Sequence, residues 1–90
     1  MDIQQSDTDH SYFVYILRCN DETLYTGIAR DIEKRVVEHN TSSKGAKYTR
    51  PRRPVTLAYS EQHVNKSSAL KREYCIKKLS RSQKEELLLS

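Results

Sequence analysis

Side chains able to do chemistry fall closest together in residues 25–39, Tyr-Thr-Gly-Ile-Ala-Arg-Asp-Ile-Glu-Lys-Arg-Val-Val-Glu-His. The stretch reads as a strand end at Tyr25, a tight crossing at Gly27 and a helix opening at Asp31, whose carboxylate suits an N-cap. At 100° per residue, Ile32 and Val36 define the buried stripe of that helix, with Arg35 and His39 flanking its edge one turn apart. A phenol, a guanidinium and an imidazole are thereby held near one seam. Together they are a permanent cation beside two groups that exchange protons. Helix geometry alone leaves a plainer reading open: an arginine snorkelling over apolar surface and a partly buried histidine.

A second placement of this kind is Glu73. A helix over roughly residues 67–79 sets Ala69 and Ile76 on its inner stripe, and Glu73 falls about 40° from Ala69. A carboxylate there is expensive to bury unless it is paired or bound to a cation. An ion pair with Lys77 or with Arg35 would account for it equally well. Residues 44–53 hold Lys44, Lys47, Arg50, Arg52 and Arg53 with no acid, and Tyr48 lies among them. Gly45, Pro51 and Pro54 make this a loop, with room for one helical turn at residues 46–49. It suits a surface that follows phosphates with a stacking option, or a solvated linker.

The elements that position these groups follow from pattern. Residues 1–11 are polar, acidic and aperiodic and read as a disordered leader; residues 12–90 form one domain. Residues 12–17, Tyr-Phe-Val-Tyr-Ile-Leu, are a dense β-branched and aromatic run and predict a central strand. A turn at residues 20–22 returns the chain as a second strand over 23–27. Tyr15 and Tyr25 share a face of the sheet if the hairpin loop is odd-numbered, and lie on opposite faces if it has two residues. Residues 55–59 alternate at period two, a third strand. Ser80 and Gln83 form a capping box that starts a last helix ending in Leu87, Leu88 and Leu89. The order β-β-α-β-α-α makes the chain α+β: a small antiparallel sheet with helices.

Composition narrows the class. All 16 Lys and Arg follow residue 10, with nine of the twelve acids, so residues 11–90 carry +7 against +4 for the whole chain. That balance favours an anionic partner, most often nucleic acid. Cys19 and Cys75 show no metal-ligand spacing and are too few for a disulfide framework, as expected of an intracellular, cytoplasmic protein. No apolar run has the length of a membrane span, which sets a membrane partner aside.

Taken together, Phe13-Val14-Tyr15, Tyr25-Thr26-Gly27, Arg35, His39 and Glu73 resemble the GIY-YIG nuclease superfamily. The resemblance runs from about Tyr12 to Leu79, and is nearest to the small single-domain YhbQ-like branch. It also takes in the catalytic domain of structure-specific nucleases that append a zinc-binding domain, of which there is no sign here. Phe13 stands where the family has its first Gly, Thr26 where it has the central Ile, and Ile28 where excision-repair relatives have a Lys. The resemblance implies a three-stranded antiparallel sheet flanked by helices and metal-assisted phosphodiester hydrolysis, with DNA preferred to RNA and a role in repair, recombination or nucleic-acid processing.

It assigns the catalytic positions to Tyr15, Tyr25, Arg35, His39 and Glu73, with Glu73 holding Mg²⁺ or Mn²⁺. Arg35 would stabilise charge on the transition state, and either Tyr25 or His39 would deprotonate the water. A phenol near pKa 10 is the poorer base unless cations lower it, and an imidazole near 6.5 the better one on chemistry alone. Lys44, Lys47, Tyr48, Arg50, Arg52, Arg53, Lys71, Arg72 and Lys77 would hold the nucleic-acid backbone, with weak sequence preference. The expected state is a monomer or weak dimer, with any protein partner undetermined. The competing readings are a nucleic-acid-binding module with little or no catalysis, and an adaptor anchored by Leu87–Leu89.

Overall fold

The structure is a computed structural model that describes residues 11–90; the expectation of a disordered leader therefore lies, Ser11 apart, outside the described residues. The order is β1 (Tyr12–Arg18), β2 (Leu24–Ala29), α1 (Ile32–Thr41), a short 3-10 turn at Arg50–Arg52, β3 (Thr56–His63), α2 (Lys66–Lys77) and α3 (Arg81–Leu88). The three strands form one antiparallel sheet in the order β2-β1-β3. The most apolar run in the chain is thus the central strand, with Val14, Tyr15, Ile16 and Leu17 all buried. The α+β expectation holds.

Each face of the sheet has its own core. Tyr15, Leu17, Cys19 and Val55 pack with Tyr25, Ala29, Ile32 and Val36 on the α1 side. Val14, Ile16, Ala69 and Ile76 pack with Leu24, Ile28, Leu87 and Leu88 on the α2–α3 side. The alternation of β1 at period two decides which residue goes to which face. The apolar end of α3 therefore packs on the chain's own core, the ordinary fate of such a helix end. No helix among the described residues is long and apolar enough to cross a membrane.

Local chemistry sets the helix ends. Asp31 accepts from the Lys34 amide, as its position predicts, and Asn65 accepts from Ser68 at the start of α2. Ser80 and Gln83 make the full reciprocal capping box. β3 is longer than the sequence suggests, continuing through the polar residues 60–63 to His63. Those residues pair with Tyr12–Tyr15 of β1, so the ladder overrides composition. Their side chains are also satisfied: Glu61 accepts from Tyr59 and Arg72, and His63 sits between Glu61 and Ser68.

Candidate active site

Hairpin register brings the two tyrosines together. Arg18 pairs with Leu24, so the connection has five residues and the odd-numbered alternative holds. Tyr15 lies opposite Gly27 and Tyr25 opposite Leu17, which makes the tyrosines diagonal neighbours on the α1 face. Gly27 is required by this approach. A Cβ there would stand 2.6 Å from the Tyr15 hydroxyl and 2.8 Å from Cζ.

Helix α1 supplies Arg35 and His39, and its expected stripe faces the core, but its deepest residue is not the expected one. Ile32 and Val36 are only partly buried, and His39, expected at the edge of the stripe, is the one fully buried residue of the helix. The imidazole is admitted to the core because both nitrogens have partners. Nε2 is 2.9 Å from the Tyr15 hydroxyl and Nδ1 is 2.9 Å from Thr49 Oγ1. Thr49 donates its own proton to the Ala46 carbonyl, so its oxygen accepts from Nδ1–H and Nε2 accepts the Tyr15 proton. The Ala46 amide, 3.4 Å from Nδ1, is at the far limit of a contact. Burial, then the charge of Arg35, pushes the His39 pKa down to about 4. Burial pushes the Tyr15 phenol up to about 12, against the pull of Arg35. Near neutral pH both are uncharged, and Tyr15 donates.

Tyr25 is the more open phenol. Its ring meets His39 edge-on, with centroids 5.3 Å apart, and lies 6.0 Å from the near-parallel ring of Tyr48. Arg35 is half-buried; its Nη1 donates to Glu38 (3.0 Å) and to the Lys44 carbonyl (2.9 Å), which fixes one edge of the fork and leaves other donors. Glu73 arrives from α2, across the sheet. Its carboxylate is largely buried and pairs with Lys77 at 3.1 Å, which settles the choice between the two candidate ion pairs. Tyr25, Arg35 and Glu73 all lie close enough to act electrostatically on the Tyr15 phenol. Tyr15, Tyr25 and His39 are thus in direct contact, Arg35 stands one turn before His39 on α1, and Glu73 acts on the Tyr15 phenol from the far helix.

The basic residues divide. Lys44, Lys47, Arg50 and Lys71 are exposed. Arg53, expected among the nucleic-acid contacts, instead turns inward and donates to the carbonyls of His39 and Ser42 at the C-terminal end of α1. Those carbonyls have no helical partners and carry the negative end of the dipole, which holds the guanidinium there. Arg72 is likewise engaged by Glu61. Arg52 lies 3.9 Å over the Tyr48 ring and beside Asp21, so the Tyr48 face expected to stack a base already carries a cation. Sequence reasoning gave no role to Thr49, the partner of His39, which nothing but its place among basic residues marks out.

Among the described residues no three His, Cys, Asp or Glu side chains gather to hold a metal. Of the five residues marked by sequence, only Glu73 brings a carboxylate. That fits a hard divalent cation that keeps most of its waters and takes other ligands from a phosphate.

A three-stranded sheet with two diagonal tyrosines, a helical arginine and a glutamate from the far helix defines a GIY-YIG-type domain. The model of the GIY-YIG catalytic domain matches residues 11–86, and the chain belongs to that family, a family of nucleases acting on nucleic acid. A UPF0213 protein of Desulfotalea psychrophila is 54% identical over 87 residues, 96% of this chain and 79% of its own. One from Staphylococcus epidermidis is 59% identical over 73 residues, 81% of this chain and 88% of its own. The solution structure of a UPF0213 protein from Bacillus halodurans is 44% identical with a TM-score of 0.56, covering 87% of this chain and 82% of that one. A solution structure from E. faecalis is 45% identical with a TM-score of 0.60 at the same coverage.

Proposed function

We propose that the chain is a divalent-metal-dependent endonuclease that hydrolyses phosphodiester bonds, of DNA in preference to RNA, in repair, recombination or nucleic-acid processing. The Tyr15–Tyr25–His39 cluster beside Arg35, with Glu73 near enough to act on the Tyr15 phenol, supports this reading. Arg35 offers forked donors to the nonbridging oxygens as charge builds on them. Tyr25, only partly buried, would orient the attacking water. Tyr15 and His39 touch no solvent and act as positioning residues: the imidazole holds the Tyr15 hydroxyl, whose ring backs the Gly27 crossing. That enclosure favours Tyr25 over His39 as the group that handles the water. Glu73 would hold Mg²⁺ or Mn²⁺, which supplies Lewis-acid neutralisation of the phosphate when bound.

A second reading, binding without cleavage, draws on the Glu73–Lys77 ion pair, which gives Glu73 a purely structural use. One experiment separates the two: incubate labelled single-stranded, duplex, nicked and branched DNAs and RNAs with Mg²⁺ or Mn²⁺, wild type beside Glu73→Gln. Metal-dependent cutting lost in the variant supports the nuclease. Salt-sensitive binding by both proteins with no cutting by either supports the binding module. RNA cut faster than every DNA would overturn the DNA preference.

A further inference from the structure

A groove of about 260 Å³ runs round the free edge of β2, lined by Leu24, Tyr25, Thr26, Tyr48, Lys77 and Lys84. It joins the two sides of the sheet. Tyr25 points to the α1 face, whereas Leu24 and Thr26 alternate to the other, where Lys77 ends α2 and Lys84 stands on α3. No acid lines it. Lys77 pairs with Glu73, but Lys84 makes no ion pair among the described residues. Thr26 is 4% exposed, and its hydroxyl is buried with no hydrogen-bond partner among the described residues. A buried orphan hydroxyl costs stability and calls for an explanation. The larger groove, at Arg35, is lined also by Asp31 and Glu38, two acids that oppose a phosphate.

We propose that this groove is a phosphate subsite that seats a backbone phosphate flanking the scissile one, with Lys84 and Lys77 as its cations and Thr26 as a hydroxyl donor. The inference rests on the nuclease reading and extends it to residues outside the five-residue set. Ammonium groups and a hydroxyl are what a phosphate oxygen accepts from. Tyr25 is shared between groove and site, so an occupant of the groove lies next to the water-orienting phenol. The bound strand then crosses the edge of the sheet from the Arg35 side to α3.

The test reads binding without cleavage: anisotropy of a short labelled oligonucleotide in chelator, across a salt series, with single methylphosphonate linkages stepped along the strand. Lys84→Ala is expected to weaken binding several-fold and lower the log–log salt slope by about one, while Lys66→Ala, on the exposed start of α2, does neither. One methylphosphonate position should weaken the wild type yet add nothing to Lys84→Ala. Lys84→Arg, which keeps the charge, should restore affinity. Thr26→Val should weaken binding without lowering the melting temperature, since it removes an unpaired group at constant shape. Lys84→Ala binding like the wild type, or every methylphosphonate adding to it in full, overturns the subsite whether or not the protein cuts. A wild type that binds here but cuts nothing in the Mg²⁺ or Mn²⁺ cleavage assay refutes the nuclease reading and leaves the groove to be judged by the same binding data. A wild type that binds no oligonucleotide overturns both.

Discussion

Gly27 sets how closely β2 passes Tyr15. Its absent Cβ is occupied by a buried phenol that cannot retreat, with both Oη and Cζ inside contact distance. Gly27→Ala is therefore expected to cost about 1–3 kcal/mol, as overpacking does, and denaturant unfolding reads it. Removing Oη with Tyr15→Phe should rescue part of that loss but not all, because Cζ remains. His39 makes a sharper prediction through pH. Its pKa is pushed from 6.5 down to about 4 in the fold. The unfolded chain takes up the proton first as pH falls, so His39's stabilisation is complete above about 6.5 and is lost on the way down to about 4. In His39→Gln, which keeps an acceptor and a donor, the stability curve should lose its slope across that window. A cleavage profile whose acid limb vanishes in His39→Gln would instead make His39 the base.

Elements were legible where local chemistry decides them. The apolar run at residues 12–17, the Asp31 cap and the Ser80–Gln83 box each specify an element from a few neighbouring residues, and each is found. What depends on a distant partner was not legible. Nothing local fixes the parity of the hairpin loop, and the burial of His39 needs Tyr15 and Thr49, twenty-four and ten residues away. The end of β3 needs β1 and Arg72. Arg53 is the same case: one of five cations in a loop by sequence, but by structure the clasp between that loop and the last turn of α1. Arg53→Ala is thus expected to lower stability by about 1–3 kcal/mol, the cost of freeing buried carbonyls. Its salt dependence of nucleic-acid binding should match the wild type. Arg50→Ala, changing an exposed cation, should do the reverse. Melting curves beside salt titrations on both variants decide it; a lower salt slope in Arg53→Ala would return that residue to the binding surface.

At the scale of the molecule, the +7 carried by residues 11–90 is not one undifferentiated field. Part of it is spent internally: Arg18 and Arg81 converge on Glu85, holding its carboxyl down to about 2, and Arg72, Arg52 and Arg53 are engaged as described. Facing solvent are Lys44, Lys47 and Arg50 on the loop after α1, Lys71 on α2 and the lysines of the β2-edge groove, with Lys34, Lys66 and Lys78 elsewhere on the helices. They are dispersed, and among the described residues no element is shaped to enter a groove and read base edges. Affinity should therefore come from counterion release: log K falling linearly with log salt, at a slope of about −0.7 to −0.9 per phosphate neutralised. Paired charge reversals, such as Lys44→Glu with Lys47→Glu, should flatten that slope by about two while leaving the ranking of substrate sequences unchanged. A titration of wild type and double variant over several unrelated sequences measures both. Affinity indifferent to salt, or a sequence preference abolished by the reversals, would mean that the protein recognises something other than a phosphate backbone.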